Sequence, residues 1–327
     1  MRKRCLLRLL IAFGFSMLWL GEATPHGQWA RLAHLFGAAS AQAGPAGTAD
    51  RDWIDVRTVG ARGDGKADDT TAIQKALDAG SRVYLPPGTY VTSKPLEVAS
   101  NQVLAGAGNE LTIIQNTVTD GIRKKTALPS ADSVTMQDFK IIAGIKSGTS
   151  TQKAFDLTAF IRSRFINLRA KFAKWGFYLA RGPAGEACWF NSFTDLQCFA
   201  CQTGVILSPT RYSVNSNTFS NLVVQDVGVW KATGVGVDLA GYGNRFYSIY
   251  TGGMRAAGVR IRKVAGNNVI VGLYVESSPK YAVDLGAGTG GRRNILIGLH
   301  KDGPTSLNDP HGELTIIDSE HALERSR

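Results

Sequence analysis

Apolar and polar residues recur along this chain in a fixed template that is neither helical nor simply alternating. Asn191-Ser-Phe-Thr-Asp-Leu returns as Asn217-Thr-Phe-Ser-Asn-Leu, Asn244-Arg-Phe-Tyr-Ser-Ile, Asn268-Val-Ile-Val-Gly-Leu and Asn294-Ile-Leu-Ile-Gly-Leu. The intervals are 26, 27, 24 and 26 residues, a period that marks one supersecondary unit stacked on copies of itself. Ser163-Arg-Phe-Ile-Asn-Leu and Asn109-Glu-Leu-Thr-Ile-Ile carry the template upstream, and Val134-Thr-Met-Gln-Asp-Phe keeps its apolar positions.

The third and sixth template residues are apolar, and often the eighth (Cys198, Val224, Val275). Sixth and eighth alternate as a strand requires. Third to sixth is an odd step, so alternation must be interrupted between them. The fifth residue is Asn167, Asp195, Asn221, Ser248, Gly272 or Gly298. Residues of this kind tolerate a left-handed backbone, which predicts a one-residue bend there. A further strand of form Gly-apolar-x-apolar follows: Gly176-Phe-Tyr-Leu, Gly204-Val-Ile-Leu, Gly236-Val-Asp-Leu, Gly258-Val-Arg-Ile, and the variant Ala282-Val-Asp-Leu. Short strands without amphipathic helical stretches between them predict an all-β, parallel β-helix of about eight coils over residues 109–300. The first-position asparagines are expected to stack as an internal amide ladder, a structural role and not a catalytic one.

One stretch departs from this rhythm. Ala72, Ile73, Ala76 and Leu77 form an apolar helical face, Asp68 or Asp69 suits an N-cap, and Gly80 ends the run. A helix over 70–79 is predicted, lying across the N-terminal end of the β-helix and protecting its open edge. Asp64, Asp68 and Asp69 are read as turn and cap residues. The segment Ile54 to Gly108, including Asp55-Val-Arg-Thr-Val-Gly-Ala-Arg-Gly-Asp-Gly-Lys-Ala-Asp-Asp and Leu104-Ala-Gly-Ala-Gly108, resembles the N-terminal signature of the pectate lyase superfamily, shared by polygalacturonase-like and rhamnogalacturonase-type enzymes and phage tailspikes. The resemblance implies a right-handed parallel β-helix. It does not specify an activity, because hydrolases, lyases, epimerases and binding proteins share the fold.

The 327 residues are divided accordingly. Residues 1–43 read as a signal peptide: Met1-Arg-Lys-Arg, an apolar run from Leu6 to Leu20, and Ala41-Gln-Ala43 for cleavage, with a cut after 23 as the alternative. Residues 44–51 are a linker, 52–108 the signature and cap, 109–300 the coils, and 301–327 an end strand and frayed tail. The expected location is secreted or periplasmic, with no membrane contact once the signal is cleaved. The formal charge of +11 falls to +7 when residues 1–43 leave with five basic and one acidic residue. A basic exported protein suits an acidic polysaccharide; no nucleic-acid motif is present. Cys188, Cys198 and Cys201 remain after cleavage, an odd number that forms no complete disulfide framework. Cys198 is expected in the core, and a single disulfide within the set is left open.

The x position of the Gly-apolar-x-apolar strand should face outward. It holds Tyr178, Ile206, Asp238, Arg260 and Asp284 in successive coils. With coils about 4.8 Å apart, the two aspartates would sit roughly 9.6 Å apart around an arginine, near the upper end for an inverting carboxylate pair. Asp238, Arg260 and Asp284 are therefore the candidate catalytic residues, against the alternative of a surface charge ladder. Tyr178, Arg262, Tyr250, Tyr274 and Glu276 are candidate substrate contacts, the last three sharing a second outward face with His300 and Asp302. Gly258-Val-Arg-Ile-Arg262 resembles the Arg-Ile-Lys strand of polygalacturonases, but that family's Asn-Thr-Asp and Gly-His-Gly motifs are missing. Asp309-Pro-His311 resembles an epimerase motif, yet Ser306 stands where those enzymes carry tyrosine, and it is read as coincidence.

These readings converge on an exported protein acting on an acidic extracellular polysaccharide as a lyase or glycoside hydrolase. The alternatives are a non-catalytic binding or exopolysaccharide-assembly protein, and a uronate C5-epimerase. No metal site is assigned, and Ca2+ is the expected cofactor only for a lyase. A monomer or a homotrimer is compatible with the sequence.

Overall fold

A computed structural model describes residues 53–116, 118–144, 150–208, 214–226, 229–230, 233–276, 280–286, 293–302 and 306–317. All lie in one unit, Gly44–Arg327. The signal-peptide and linker assignments and the end of the tail fall outside the described residues. Among the described residues no helix is long and apolar enough to cross a membrane.

One coil shows the path. The chain runs through Ser192–Phe199, turns into Thr203–Leu207, crosses to Val214–Asn215 and enters the next coil at Thr218–Gln225. Strands of successive coils pair in parallel into three sheets of 14, nine and four strands, here called A, B and C. Sheet B contributes one strand per coil, from Leu96–Val98 to Ser306–Asn308, so the described residues make nine coils of this sheet. The template predicted about eight; the ninth lies in the N-terminal signature.

The odd step of the template resolves as expected. Asp138, Asn167, Asp195, Asn221 and Ser248 have φ between 48° and 62°, and Gly272 and Gly298 have φ of 70° and 66°. One left-handed residue inside each long strand of sheet A turns the third and sixth residues to the same side. The third position then stacks as a ring column: Phe165 on Phe193 at 4.7 Å, Phe193 on Phe219 at 4.3 Å, Phe219 on Phe246 at 4.5 Å. Offset parallel rings each add about 0.5–1.5 kcal/mol beyond their burial. A second left-handed series, without a residue-type signature, precedes the ladder position: Ser133, Arg162, Phe190, Ser216, Gly243, Asn267 and Arg293.

The asparagines form the amide ladder in register. Each Nδ2 donates to the next Oδ1: Asn191 to Asn217 at 2.9 Å, Asn217 to Asn244 at 3.0 Å, Asn244 to Asn268 at 3.1 Å, Asn268 to Asn294 at 2.9 Å. The same Oδ1 atoms accept the backbone N–H of the preceding asparagine at 2.8–3.1 Å. The second amide hydrogen goes to a backbone carbonyl, as from Asn217 to Cys188 and from Asn244 to Val214. All five side chains are buried, and this reciprocity satisfies the donors and acceptors that burial would otherwise strand.

The recurring glycine of the sheet B strands is a packing requirement at Gly176 and Gly236. A Cβ on Gly176 would meet the Gly204 carbonyl at 2.6 Å, and one on Gly236 the Gly258 carbonyl at 2.4 Å. In these coils sheet B approaches its neighbour too closely for a Cβ at Gly176 or Gly236.

The helix spans Thr70–Ala79 and buries Ile73, Ala76 and Leu77, and it packs on the first strands of sheets A and B. Its N-terminus differs in detail from the expectation. Asp69 occupies the cap position but makes no cap bond; its carboxylate accepts the N–H groups of Arg62 and Gly63 at 2.6 and 3.0 Å. Asp68 takes the Thr70 N–H at 2.9 Å, and Asp64 closes a turn on Lys66 and Ala67. The three acids are structural. Cys188, Cys198 and Cys201 are free and buried, and burial pushes the thiols of Cys188 and Cys201 up to about 12. Buried thiols of this kind are inert.

Two outcomes test this framework. Asn244→Ala takes the acceptor from the Asn217 backbone N–H and from its side-chain amide, and should lower unfolding stability by about 1–3 kcal/mol; denaturant melts indistinguishable from wild type would refute the ladder. A thiol-specific disulfide reagent at neutral to mildly alkaline pH should label none of the three cysteines until the protein is unfolded; rapid labelling of the native protein would contradict their burial.

Candidate functional site

Sheet B presents one continuous outward line. Strand pairing aligns Glu97, Arg123, Asp156, Tyr178, Ile206, Asp238, Arg260, Asp284 and Asn308 across nine coils. Asp238, Arg260 and Asp284 are brought together as the template implied. The first three members were missed. Their signal was present, since Gly121-Ile-Arg and Ala154-Phe-Asp-Leu fit the same strand form, but the intervals between them are irregular.

The line carries two acid–base–acid triplets separated by Tyr178 and Ile206. In the second, Arg260 Nε donates to Asp284 Oδ2 at 3.2 Å, and its Nη1 lies 4.0 Å from Asp238 Oδ2. Arg262, two residues on, grips Asp238 with both nitrogens: Nε to Oδ1 at 2.6 Å, Nη2 to Oδ2 at 2.5 Å. The Asp238 carboxylate raises the pKa of Arg262 in turn. Asp284 Oδ1 also accepts the Gly286 N–H and the Asn308 amide at 2.9 and 2.7 Å. Asp238 and Asp284 are 4% and 8% exposed, so the triplet is no loose surface ladder. The outermost groups are the guanidinium heads, with side chains 28% and 45% exposed for Arg260 and Arg262.

In the first triplet, Arg123 donates to Glu97 through Nε and Nη2 at 3.0 and 2.7 Å, and Lys153 pairs with Asp156 at 2.6 Å. The pair Glu97–Arg123 also lines a groove of about 460 Å³ beside the helix, with Gln74, Asp78, Lys94 and Lys125. Tyr178 sits in an aromatic–lysine cluster. Its ring lies 5.5 Å from that of Trp175, Lys153 Nζ stands 4.3 Å over Tyr178, and Lys174 Nζ stands 4.5 Å over Trp175. Cations over these rings contribute about 0.5–2 kcal/mol.

The second face lies on sheet A. Tyr250, Tyr274 and His300 stack with centroids 5.6 and 4.9 Å apart, nearly parallel. Ring faces that cover one another are not open to a sugar; only edges and the ends of the stack are. The hydroxyls are engaged as well, Tyr250 donating to Glu276 and Tyr274 to Asp302 at 2.6 Å. The bond to Asp302 pushes the Tyr274 phenol up to about 12, which removes it as a base at neutral pH.

A Ca2+ ion takes six to eight oxygen ligands. Among the described residues no three acidic, His or Cys side chains converge, and the oxygens of Asp238 and Asp284 are held by guanidinium, amide and backbone nitrogens. These residues do not fit that ion. Asp309 is 4% exposed and its carboxylate closes a turn on the Glu313 and Leu314 N–H groups at 2.9 and 3.2 Å, a structural role for the Asp-Pro-His segment.

A family model described as rhamnogalacturonase A/epimerase, pectate lyase-like, matches residues 53–159. The pre-neck appendage protein of Bacillus phage phi29 is 44% identical over 62 residues, covering 19% of this chain and 7% of that protein. Alginate lyase 7 of Azotobacter vinelandii is 39% identical over 100 residues, covering 26% of this chain and 11% of the lyase. The chain thus spans a small part of the curated relatives it matches. Among solved structures, the gp42 tailspike of Acinetobacter phage vb_AbaP_AS12 superposes with a TM-score of 0.62 at 13% identity, over 83% of this chain and 52% of the tailspike. Motif and fold agree: residues 53–159 match a pectate lyase-like family model, and the described coils form a parallel β-helix.

Proposed function

We propose that this protein acts on an acidic extracellular polysaccharide laid along the outward line of sheet B, and that it works outside the cytoplasm. The observation that carries the reading is the Asp238–Arg260–Asp284 triplet with Arg262 beside it. Two guanidinium heads lie uppermost, with their carboxylate partners beneath. Planar guanidinium groups match carboxylates bidentately. A uronate carboxylate arriving from solvent competes with Asp284 for Arg260 and with Asp238 for Arg262. The exchange releases an aspartate oxygen next to the bound sugar.

The released aspartate suits either of two reactions. In a lyase it takes the proton beside the uronate carboxyl; the C–O bond to the leaving sugar then breaks as a C=C bond forms, and the leaving oxygen takes a proton from the aspartic acid so formed or from water. In a hydrolase one carboxylic acid protonates the glycosidic oxygen while the other carboxylate activates water. The alginate lyase relative supports an acidic substrate; its match covers too little of either chain to choose the reaction. A second reading is favoured by one observation: both aspartates are already fully engaged. On that reading the face binds the polymer and cleaves nothing, as an assembly protein would.

The test is incubation with alginate, polygalacturonate, hyaluronate and a neutral glucan. New ultraviolet-absorbing ends with loss of size identify a lyase, and new reducing ends alone a hydrolase. Retention without loss of size identifies a binder, and no interaction with any acidic polymer refutes the proposal. Arg260→Lys should weaken the interaction in every case. For an enzyme, Asp284→Asn should slow turnover by about 10²–10⁴-fold while the protein stays folded. Wild-type behaviour of both variants would remove this face.

Stability separates the roles further. Asp238→Asn removes the carboxylate from a bidentate bond to Arg262 and should cost about 1.5–3 kcal/mol. A change below about 0.5 kcal/mol in thermal or denaturant unfolding would show that the buried pairing is not formed in solution.

A further inference from the structure

Sheet C carries a feature that the sheet B line does not use. Trp189 and Phe190 are 37% and 58% exposed, with rings 5.5 Å apart and tilted by 33°. Phe190 occupies the left-handed position that precedes the ladder asparagine, with φ of 57°. The same position in other coils holds Ser133, Arg162, Ser216, Gly243, Asn267 and Arg293. Phe190 is the one bulky apolar residue in that series. A bulky side chain in this conformation is strained, and here the strain is combined with a ring left in water. Neither packing nor backbone preference accounts for it.

We infer that Trp189 and Phe190 form a second carbohydrate contact, stacking on the apolar face of a pyranose ring of the same polymer. The inference rests on the polysaccharide reading above. The pair belongs to the coil that carries Tyr178: the chain passes from Trp175–Leu179 on sheet B directly to Cys188–Trp189 on sheet C. A chain held at Tyr178 and Arg260 is therefore one corner of the coil away. The chemistry of the surround selects a sugar. Asp132 and Arg162 form an ion pair on one side, and Asn215 and Ser216 lie on the other. Two rings with a polar rim match one amphipathic ring. They fall far short of the roughly 20–30 residues that a stable protein interface uses on each side, and the charged flank does not suit a bilayer.

The experiment measures thermal unfolding and retention in gels containing alginate or polygalacturonate, at low salt and at about 1 M salt, where charge contacts are screened within about 3 Å. Phe190→Asn removes the strain, since asparagine tolerates this backbone, and should raise Tm by about 2–4 °C. It should also weaken high-salt retention by about 3- to 10-fold, as should Trp189→Ala, while Phe190→Tyr keeps it. Wild-type retention of Phe190→Asn at both salts, or a lowered Tm, overturns the inference. If Arg260→Lys loses low-salt retention while Phe190→Asn loses none, this inference falls and the sheet B reading stands. If the wild-type protein retains neither polymer, both fall.

Discussion

Everything positioned in this molecule depends on one repeated interaction, the reciprocal amide bonding of the buried asparagines. The carboxamides of Asn217, Asn244 and Asn268 each accept two hydrogens from the coil before and donate one to the coil after. A slip of one residue would leave those groups unpaired in an apolar interior, at roughly 1–3 kcal/mol each. It would also move the phenylalanine column out of the core. The ladder and the ring column thus fix the same register by independent means, one polar and one apolar. Register then determines which residues share an outward line, and so which charges can meet on sheet B.

The sheet B line follows from that constraint. Residues far apart in sequence, such as Asp156, Tyr178 and Asp238, lie along one direction because their strands pair without a shift. Glycine at the entrance of these strands lets consecutive coils approach at backbone distance, which keeps the outward groups close enough to bond. Arg260 can reach both aspartates only because it stands on the coil between them. Its neighbour Arg262 gains a second grip on Asp238 through ordinary strand alternation.

Much of this was legible in the residues. The ladder asparagines, the bend at Asn167 through Gly298, the helix at Thr70–Ala79 and the alignment of Asp238, Arg260 and Asp284 each have a local signature that the period repeats. What was not legible had none. The second left-handed series uses serine, arginine, phenylalanine, glycine and asparagine, so residue type does not announce it. The burial of Asp238 depends on Arg262 folding back over it, a side-chain choice that no spacing encodes. The Trp175–Tyr178–Lys153 cluster joins residues from neighbouring coils whose spacing breaks the period. Asp69 looked like a helix cap, but a nearby loop with free N–H groups at Arg62 and Gly63 took its carboxylate instead.

The most direct test of the account is arginine-selective footprinting by mass spectrometry, with and without oligosaccharides of whichever acidic polymer is retained. Protection of Arg123, Arg260 and Arg262 is expected, because all three stand on the outward side of sheet B. Arg164 and Arg245, exposed on sheet A, should react equally in both conditions. Protection confined to Arg164 and Arg245, or no protection of Arg260 and Arg262 by a polymer that binds, would contradict the placement of the substrate on sheet B.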